Sequence, residues 1–301
     1  PGGARPTETP VALTSTAYFF FDSAIMEQVA KLLGKETDEA YYHALSEHIR
    51  EAFTARFYNP VLKTFGSQTA DAFTLYLGLA PSGDTDAVAA SLADNVIRVK
   101  NGHLATGVTG SRHLYRALSS HGYDDAALGI FHKTDYPGFG YLFALGATTL
   151  WEQWQENRGS LNHPMQGGFD AWFFDGVGGI NPDPADPGFK HIIFRPLVVG
   201  GLDGAKTSYR SIYGTIASEW TFRNEIFTWQ ITVPANTAAT VHIPSDGGTP
   251  VTESGLPIRQ AASVTIRGEE RGCLVVEIGS GDYSFLSKVD PALWRLAQGR
   301  K

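Results

Sequence analysis

Along roughly the first 180 residues the hydrophobic positions recur every three or four residues, the period of an amphipathic helix. The clearest run is "TDEAYYHALSEHIREAFTARF" at residues 37–57, where Tyr41, Ala44, Leu45, His48, Ile49, Ala52 and Phe53 fall on one face behind Asp38, a candidate cap. His43 and His48 are plain helix residues in this pattern. Similar spacing predicts helices at approximately 14–33, 67–79, 84–99, 106–120, 124–132, 141–154 and 165–177, joined by short Gly, Pro or Asn loops. Stacked hairpins of helices are the expected product.

At "NPDPADPGFK", a Pro/Gly/Asp linker over residues 181–190, the period changes from 3.6 to 2. Ile216, Trp220 and Phe222 alternate with polar residues, and Phe227, Trp229, Ile231 and Val233 do the same beyond a turn placed at Arg223 and Asn224. "ATVHIP", "SVTIRG", "CLVVEIG" and "DYSFLS" continue as short strands at the spacing of a β-sandwich, followed by a tail containing Trp294. Trp220 and Trp229 occupy inward positions and are assigned to the core rather than to a sugar platform. The expected organisation is therefore a helical domain over 1–180, a linker over 181–190 and a β-sandwich with its tail over 191–301.

Charge and composition narrow the function only by exclusion. The net charge of -7 is spread without basic or acidic blocks, so nothing invites nucleic acid or an anionic membrane, and a neutral small molecule fits better. No apolar run approaches the roughly twenty residues of a membrane span. Cys273 is the single cysteine, which excludes an intrachain disulfide and a thiolate metal cluster but leaves the compartment open. The opening "PGGARPTETP" has neither an initiator Met nor a signal-like apolar core and reads like the middle of a longer protein, although processing would produce the same start. The aromatic content of 12% suits a carbohydrate site and a well-filled core equally.

Candidate chemistry concentrates in "GATTLWEQWQENRGSLNHPM" at residues 146–165, where Glu152 lies between Trp151 and Trp154 and His163 precedes a proline. Aromatic faces stack on sugars and exclude water, and a carboxylate among them is suited to proton transfer. The same residues also fit the end of an amphipathic helix with both tryptophans inward and Glu152 in solvent. The remaining histidines show no paired spacing with acids, so no metal site is expected, and "GGFDAWFFDGVGG" lacks the lysine and strand context of a phosphate loop. No cofactor is expected.

Four stretches together resemble the C-terminal part of the bacterial α-L-rhamnosidases of glycoside hydrolase family 78: "TDYPGFGYLFALGATTLWEQW", "SLNHPMQGGFDAWFF", "GINPDPADPGFKHIIFRPLVVGGL" and "SYRSIYGTIASEW". "TAYFFFDSAIMEQVAKLLGK" and "FGSQTADAFTLYLGL" extend the similarity, more weakly, to the earlier helices. The resemblance implies part of an (α/α)6 barrel followed by an antiparallel β-sandwich, and hydrolysis of a terminal α-L-rhamnosyl bond with inversion. It places the general base on Glu152, within "TTLWE", and a sugar contact on His163, within "SLNHPM". Trp151 beside the base is a candidate pocket wall or a core residue. Tyr136 and Phe139, with Tyr141, form an aromatic loop at the rim, where the family often has Trp in place of Phe139 and where Gly138 and Gly140 would permit positive φ.

Inversion also needs a general acid about 6.5–9.5 Å from the base. In the family it lies upstream in an acidic segment ending in Gly-Trp and Gly-Asp patterns, and "SGDT" at 82–85 does not reproduce it. Asp135 is a second carboxylate near in sequence, with loop bonding as its alternative role. The expected partners are a rhamnose-containing carbohydrate and an N-terminal remainder, or another chain, covering the open side of the barrel. Two other readings remain open: a non-catalytic carbohydrate-binding or structural portion, and a related double barrel acting on another sugar.

Overall fold

The computed structural model describes residues 8–156 and 159–290. The tail with Trp294 and most of the opening "PGGARPTETP" lie outside the described residues. Two compact units emerge, residues 1–121 with 126–168, and residues 122–125 with 169–301.

The first unit is helical. Helices α1 (Val11–Leu32) and α2 (Glu36–Phe57) form a hairpin, followed by α3 (Gln68–Tyr76), α4 (Thr85–Asp94) with a π-helical extension Asn95–Val99, and α5 (Val108–Ser120). Asp38 does not cap α2: the helix already starts at Glu36, and Asp38 lies in the first turn with Glu36 and Glu39, where three carboxylates meet the positive end of the helix dipole. α3 carries a real cap, with Ser67 Oγ accepting the Ala70 N–H at 3.1 Å. α3 and α5 pack against each other, with the rings of Phe73 and Tyr76 on the His113 ring at 5.3 and 4.2 Å between centroids.

Helix α1 is apolar on more than one side. Leu13, Ala17, Phe20 and Ala30 are buried, while Tyr18, Phe21, Ile25, Val29 and Leu32 form a second, exposed stripe at helical spacing. A helix with apolar residues all round belongs in an interior.

After α6 (Asp124–Gly129) and a 3-10 turn Ile130–His132, helix α7 is shorter than its spacing predicts. It runs only Phe139–Ala144, not to residue 154. The stop is Gly146 at φ +83°: its N–H bonds Phe143 O and the Ala147 N–H bonds Leu142 O, the paired bonds that close a helix on a left-handed glycine. The segment 165–177 likewise becomes a 3-10 stretch Pro164–Phe169 and a π-helical stretch Trp172–Val177.

The second unit is a β-sandwich of a five-stranded and a six-stranded sheet. The first contains β1 (Ile180–Pro182), β2 (His191–Phe194), β6 (Ala238–Pro244), β10 (Cys273–Ile278) and β9 (Val264–Glu270) in spatial order. The second contains β3 (Gly204–Ser211), β4 (Gly214–Arg223), β5 (Ile226–Val233), β11 (Gly281–Lys288), β7 (Thr252–Glu253) and β8 (Leu256–Pro257). All pairings are antiparallel except β2 with β6. Trp220 and Trp229 stand opposite each other in the β4–β5 register and are fully buried, so both belong to the core. Their indole N–H groups are satisfied by Val177 O at 2.8 Å and Ser218 Oγ at 2.9 Å. The turn sits one residue later than expected, at Asn224 and Glu225, because both take positive φ as a tight hairpin of this kind requires.

Candidate functional site

Because α7 ends at Ala144, just short of the left-handed Gly146, Glu152 lies in a loop, and the amphipathic-helix reading of residues 146–154 does not hold. The loop returns on itself. Thr149 Oγ1 donates to Leu161 O, the His163 N–H donates to Leu150 O at 2.8 Å, and the Glu152 N–H donates to Ser160 O at 2.9 Å. The Ser160 N–H then donates back to Glu152 Oε2, also at 2.9 Å. Glu152, half-buried as a residue, is thus held through both its backbone N–H and its side chain.

Trp151 is only 8% exposed, and Trp154 packs edge to face on Phe139 at 5.3 Å between centroids. Phe139, 5% exposed, also stacks on Phe131. Tyr136 remains 48% exposed, and its hydroxyl accepts a hydrogen bond from Gln155 Nε2 at 2.9 Å. The loop that carries Tyr136 and Phe139 is therefore tied to the loop that carries Glu152 at two points, one apolar and one polar. His163 Nδ1 accepts the Met165 N–H at 3.1 Å, which places the ring proton of the neutral form on Nε2 and leaves that N–H as a donor. The structure brings Glu152, Trp151, Tyr136, Phe139 and His163 into one pair of adjoining loops.

Gly138 and Gly140 are required for a different reason from positive φ. A Cβ on Gly138 would lie 2.7 Å from Lys133 O, and one on Gly140 would lie 2.8 Å from the same atom. The loop is folded tightly over the backbone before it, and Gly140 N–H bonds Lys133 O at 3.1 Å. His103, which the sequence did not single out, holds the loop from outside: Nδ1 donates to Pro137 O at 2.7 Å, and Nε2 lies 3.3 Å from Asp135 Oδ2. Its position far upstream in the chain, with no spacing signal, hid this role.

Asp135 is accordingly a loop-holding carboxylate. Burial pushes its pKa up, but its own backbone amide and the nearby His103 and Lys133 outweigh that, and the carboxyl is held below its ordinary range. Lys133 Nζ is 3.4 Å from Oδ1. A group held ionised in this way is poorly suited to donate a proton. Asp170 is exposed. Among the described residues no group of three or more His, Cys, Asp or Glu could hold a metal, and no helix is long and apolar enough to cross a membrane.

Comparison with known proteins gives the same answer over both parts of the chain. Residues 3–177 match the bacterial alpha-L-rhamnosidase 6 hairpin glycosidase domain, and residues 179–255 match the bacterial alpha-L-rhamnosidase C-terminal domain. An alpha-L-rhamnosidase of Streptomyces avermitilis is 32% identical over 92% of this chain, which spans 27% of that protein. The solved alpha-L-rhamnosidase from Dictyoglumus thermophilum superposes with a TM-score of 0.85 at 36% identity, covering 96% of this chain and 33% of that one. The Streptomyces avermitilis alpha-L-rhamnosidase solved with L-rhamnose gives a TM-score of 0.81 at 31% identity, covering 93% of this chain and 27% of its own. The chain thus corresponds to about a third or less of the length of these relatives, and with both domain models matched in order it belongs to the bacterial alpha-L-rhamnosidase family.

Proposed function

We propose that this chain supplies the base-carrying part of an inverting glycosidase that releases terminal α-L-rhamnose from rhamnosides. Glu152 is the general base: it takes a proton from a water poised on the face of the sugar opposite the leaving group. The observation that carries the reading is the hold on this carboxylate, whose Oε2 accepts the Ser160 N–H at 2.9 Å inside a loop flanked by aromatic rings. A carboxylate with one oxygen engaged is biased toward one orientation, so a water bound to the other oxygen keeps its line of attack. His163 offers its Nε2–H to a sugar hydroxyl, the exposed Tyr136 contacts the sugar at the rim, and Trp151 and Phe139 form the apolar wall behind.

The general acid belongs to an N-terminal remainder of the protein. Two observations favour this. Asp135 is held ionised by its neighbours, and the exposed apolar stripe on α1 calls for further helices to cover it. The matched family domain is described as having six hairpins, more than the seven helices α1 to α7 can form among the described residues. The test is hydrolysis of a natural rhamnosyl disaccharide followed by NMR, first with this chain alone and then with the separately made N-terminal part added. Hydrolysis only in the mixture, with the inverted anomer appearing first, is expected. Robust cleavage by the chain alone places the acid here, and a retained anomer excludes the single-displacement role of Glu152.

A further inference from the structure

We infer that Gly159 and Ser160 are positioning residues that aim the Glu152 carboxylate and select Oε1 as its reactive oxygen. The inference rests on the reading of Glu152 as the base.

Gly159 stands at φ +68°, in the left-handed region that glycine enters without strain. A Cβ there would lie 2.8 Å from Glu152 Oε2, 3.2 Å from its carboxyl carbon and 3.0 Å from Gln153 Cγ. The carboxylate is therefore seated directly on the α-carbon of Gly159, nearer than any side-chain carbon allows. The next peptide N–H, that of Ser160, closes on Oε2 at 2.9 Å. Ser160 is itself fixed: its Oγ donates to Asn162 O at 3.0 Å and accepts the Asn162 N–H at 3.2 Å. The Glu152 N–H to Ser160 O bond at 2.9 Å completes the ring. Close approach to Gly159 on one side and a donor on the other engage Oε2, which leaves Oε1 as the oxygen to take the proton from a water. The donor also supplies partial positive charge to the oxygen that does not take the proton, so it fixes direction without competing for the reacting lone pair.

The experiment is a double-mutant cycle in the complete enzyme on a natural rhamnoside. Gly159→Ala is expected to lower kcat about tenfold to a hundredfold with KM within about twofold, since displacing a catalytic group by about 1 Å has an effect of that order. In a Glu152→Gln background the same substitution should change kcat by less than about twofold, because Gly159 acts only through the carboxylate. Gly159→Asn tolerates the left-handed backbone better yet carries the same Cβ, so its loss of kcat should match that of Gly159→Ala while its thermal stability stays nearer to wild type. Replacing the Ser160 amide by an ester removes the donor without adding a Cβ and should also lower kcat at unchanged KM. Unchanged kcat in both Gly159 variants, or an equal fold loss in the Glu152→Gln background, overturns the inference. Near-normal turnover of Glu152→Gln alone overturns the base reading and this inference with it, whereas a collapse of Glu152→Gln beside unaffected Gly159 variants overturns only this one.

Discussion

Phe139 meets Trp154 edge to face with ring centroids 5.3 Å apart, and this contact joins the start of α7 to the loop that carries Glu152. The same Phe139 ring stacks on Phe131, so its position is set from two sides. Phe139→Ala is expected to destabilise the fold by about 3–5 kcal/mol, the range for deleting a buried aromatic ring. A double-mutant cycle with Trp154→Ala, followed by denaturant unfolding, should return a coupling of about 0.5–1.5 kcal/mol. Strict additivity of the two substitutions would show that the loops are held together elsewhere.

Glu152→Gln keeps the shape of the side chain and removes its basicity. In the complete enzyme kcat on a natural rhamnoside should fall by roughly a hundredfold to ten-thousandfold, with sugar binding nearly intact. The measurement is steady-state turnover together with binding of rhamnose by calorimetry.

His163 should separate from Glu152 in its kinetic signature. With Nδ1 occupied by the Met165 N–H at 3.1 Å, the ring presents a fixed Nε2–H donor that binds ground state and transition state alike. His163→Ala should mainly raise KM. A fall in kcat matching that of Glu152→Gln would assign the imidazole a part in proton transfer instead.

Two buried groups on the α3–α5 pair give opposed pH dependences. Burial raises the Asp71 pKa to about 6, against hydrogen bonds from the Phe65 N–H and the Thr64 hydroxyl that lower it. Burial, helped by the charges of Arg112 and Arg116, lowers that of His113 to about 4. The raised Asp71 contributes stability that is present below its unfolded value near 4 and lost as pH rises through 6. The depressed His113 contributes stability that is present above 6.5 and lost as pH falls through 4. Each effect is about 3 kcal/mol, so in the window between the two values they largely offset one another. Unfolding followed from pH 4 to 7 should therefore show stability rising with pH in Asp71→Asn and falling with pH in His113→Phe. Parallel curves for the two variants would refute the assignment.

How far the site could be read from the sequence depended on the kind of signal each residue carried. Trp220 and Trp229 were legible as core because alternation along a strand is a local property, and their pairing across β4 and β5 follows from it. Helices α1, α2 and α4 were legible for the same reason, since their buried residues repeat at the helical period, whereas α3 is buried all round. The end of α7 was harder to read. Residues 145–154 keep a helical spacing of apolar groups, yet Gly146 in the left-handed region ends the helix and puts Glu152 in a loop.

Amino-acid order by itself determined the two architectures, helical first and β-stranded after, because period and turn chemistry are written in consecutive residues. It also singled out Glu152 and His163, through the stretches that resemble the rhamnosidase family. Only the tertiary structure decided what holds them. The clamp of Ser160 on Glu152, the hold of His103 on the Pro137 carbonyl and the tight seat of Gly138 and Gly140 over Lys133 all join atoms by distance and direction, and no periodicity encodes these. A hydrogen bond or a close α-carbon contact depends on where the backbone returns in space, and that return is fixed only when the helices and loops have packed.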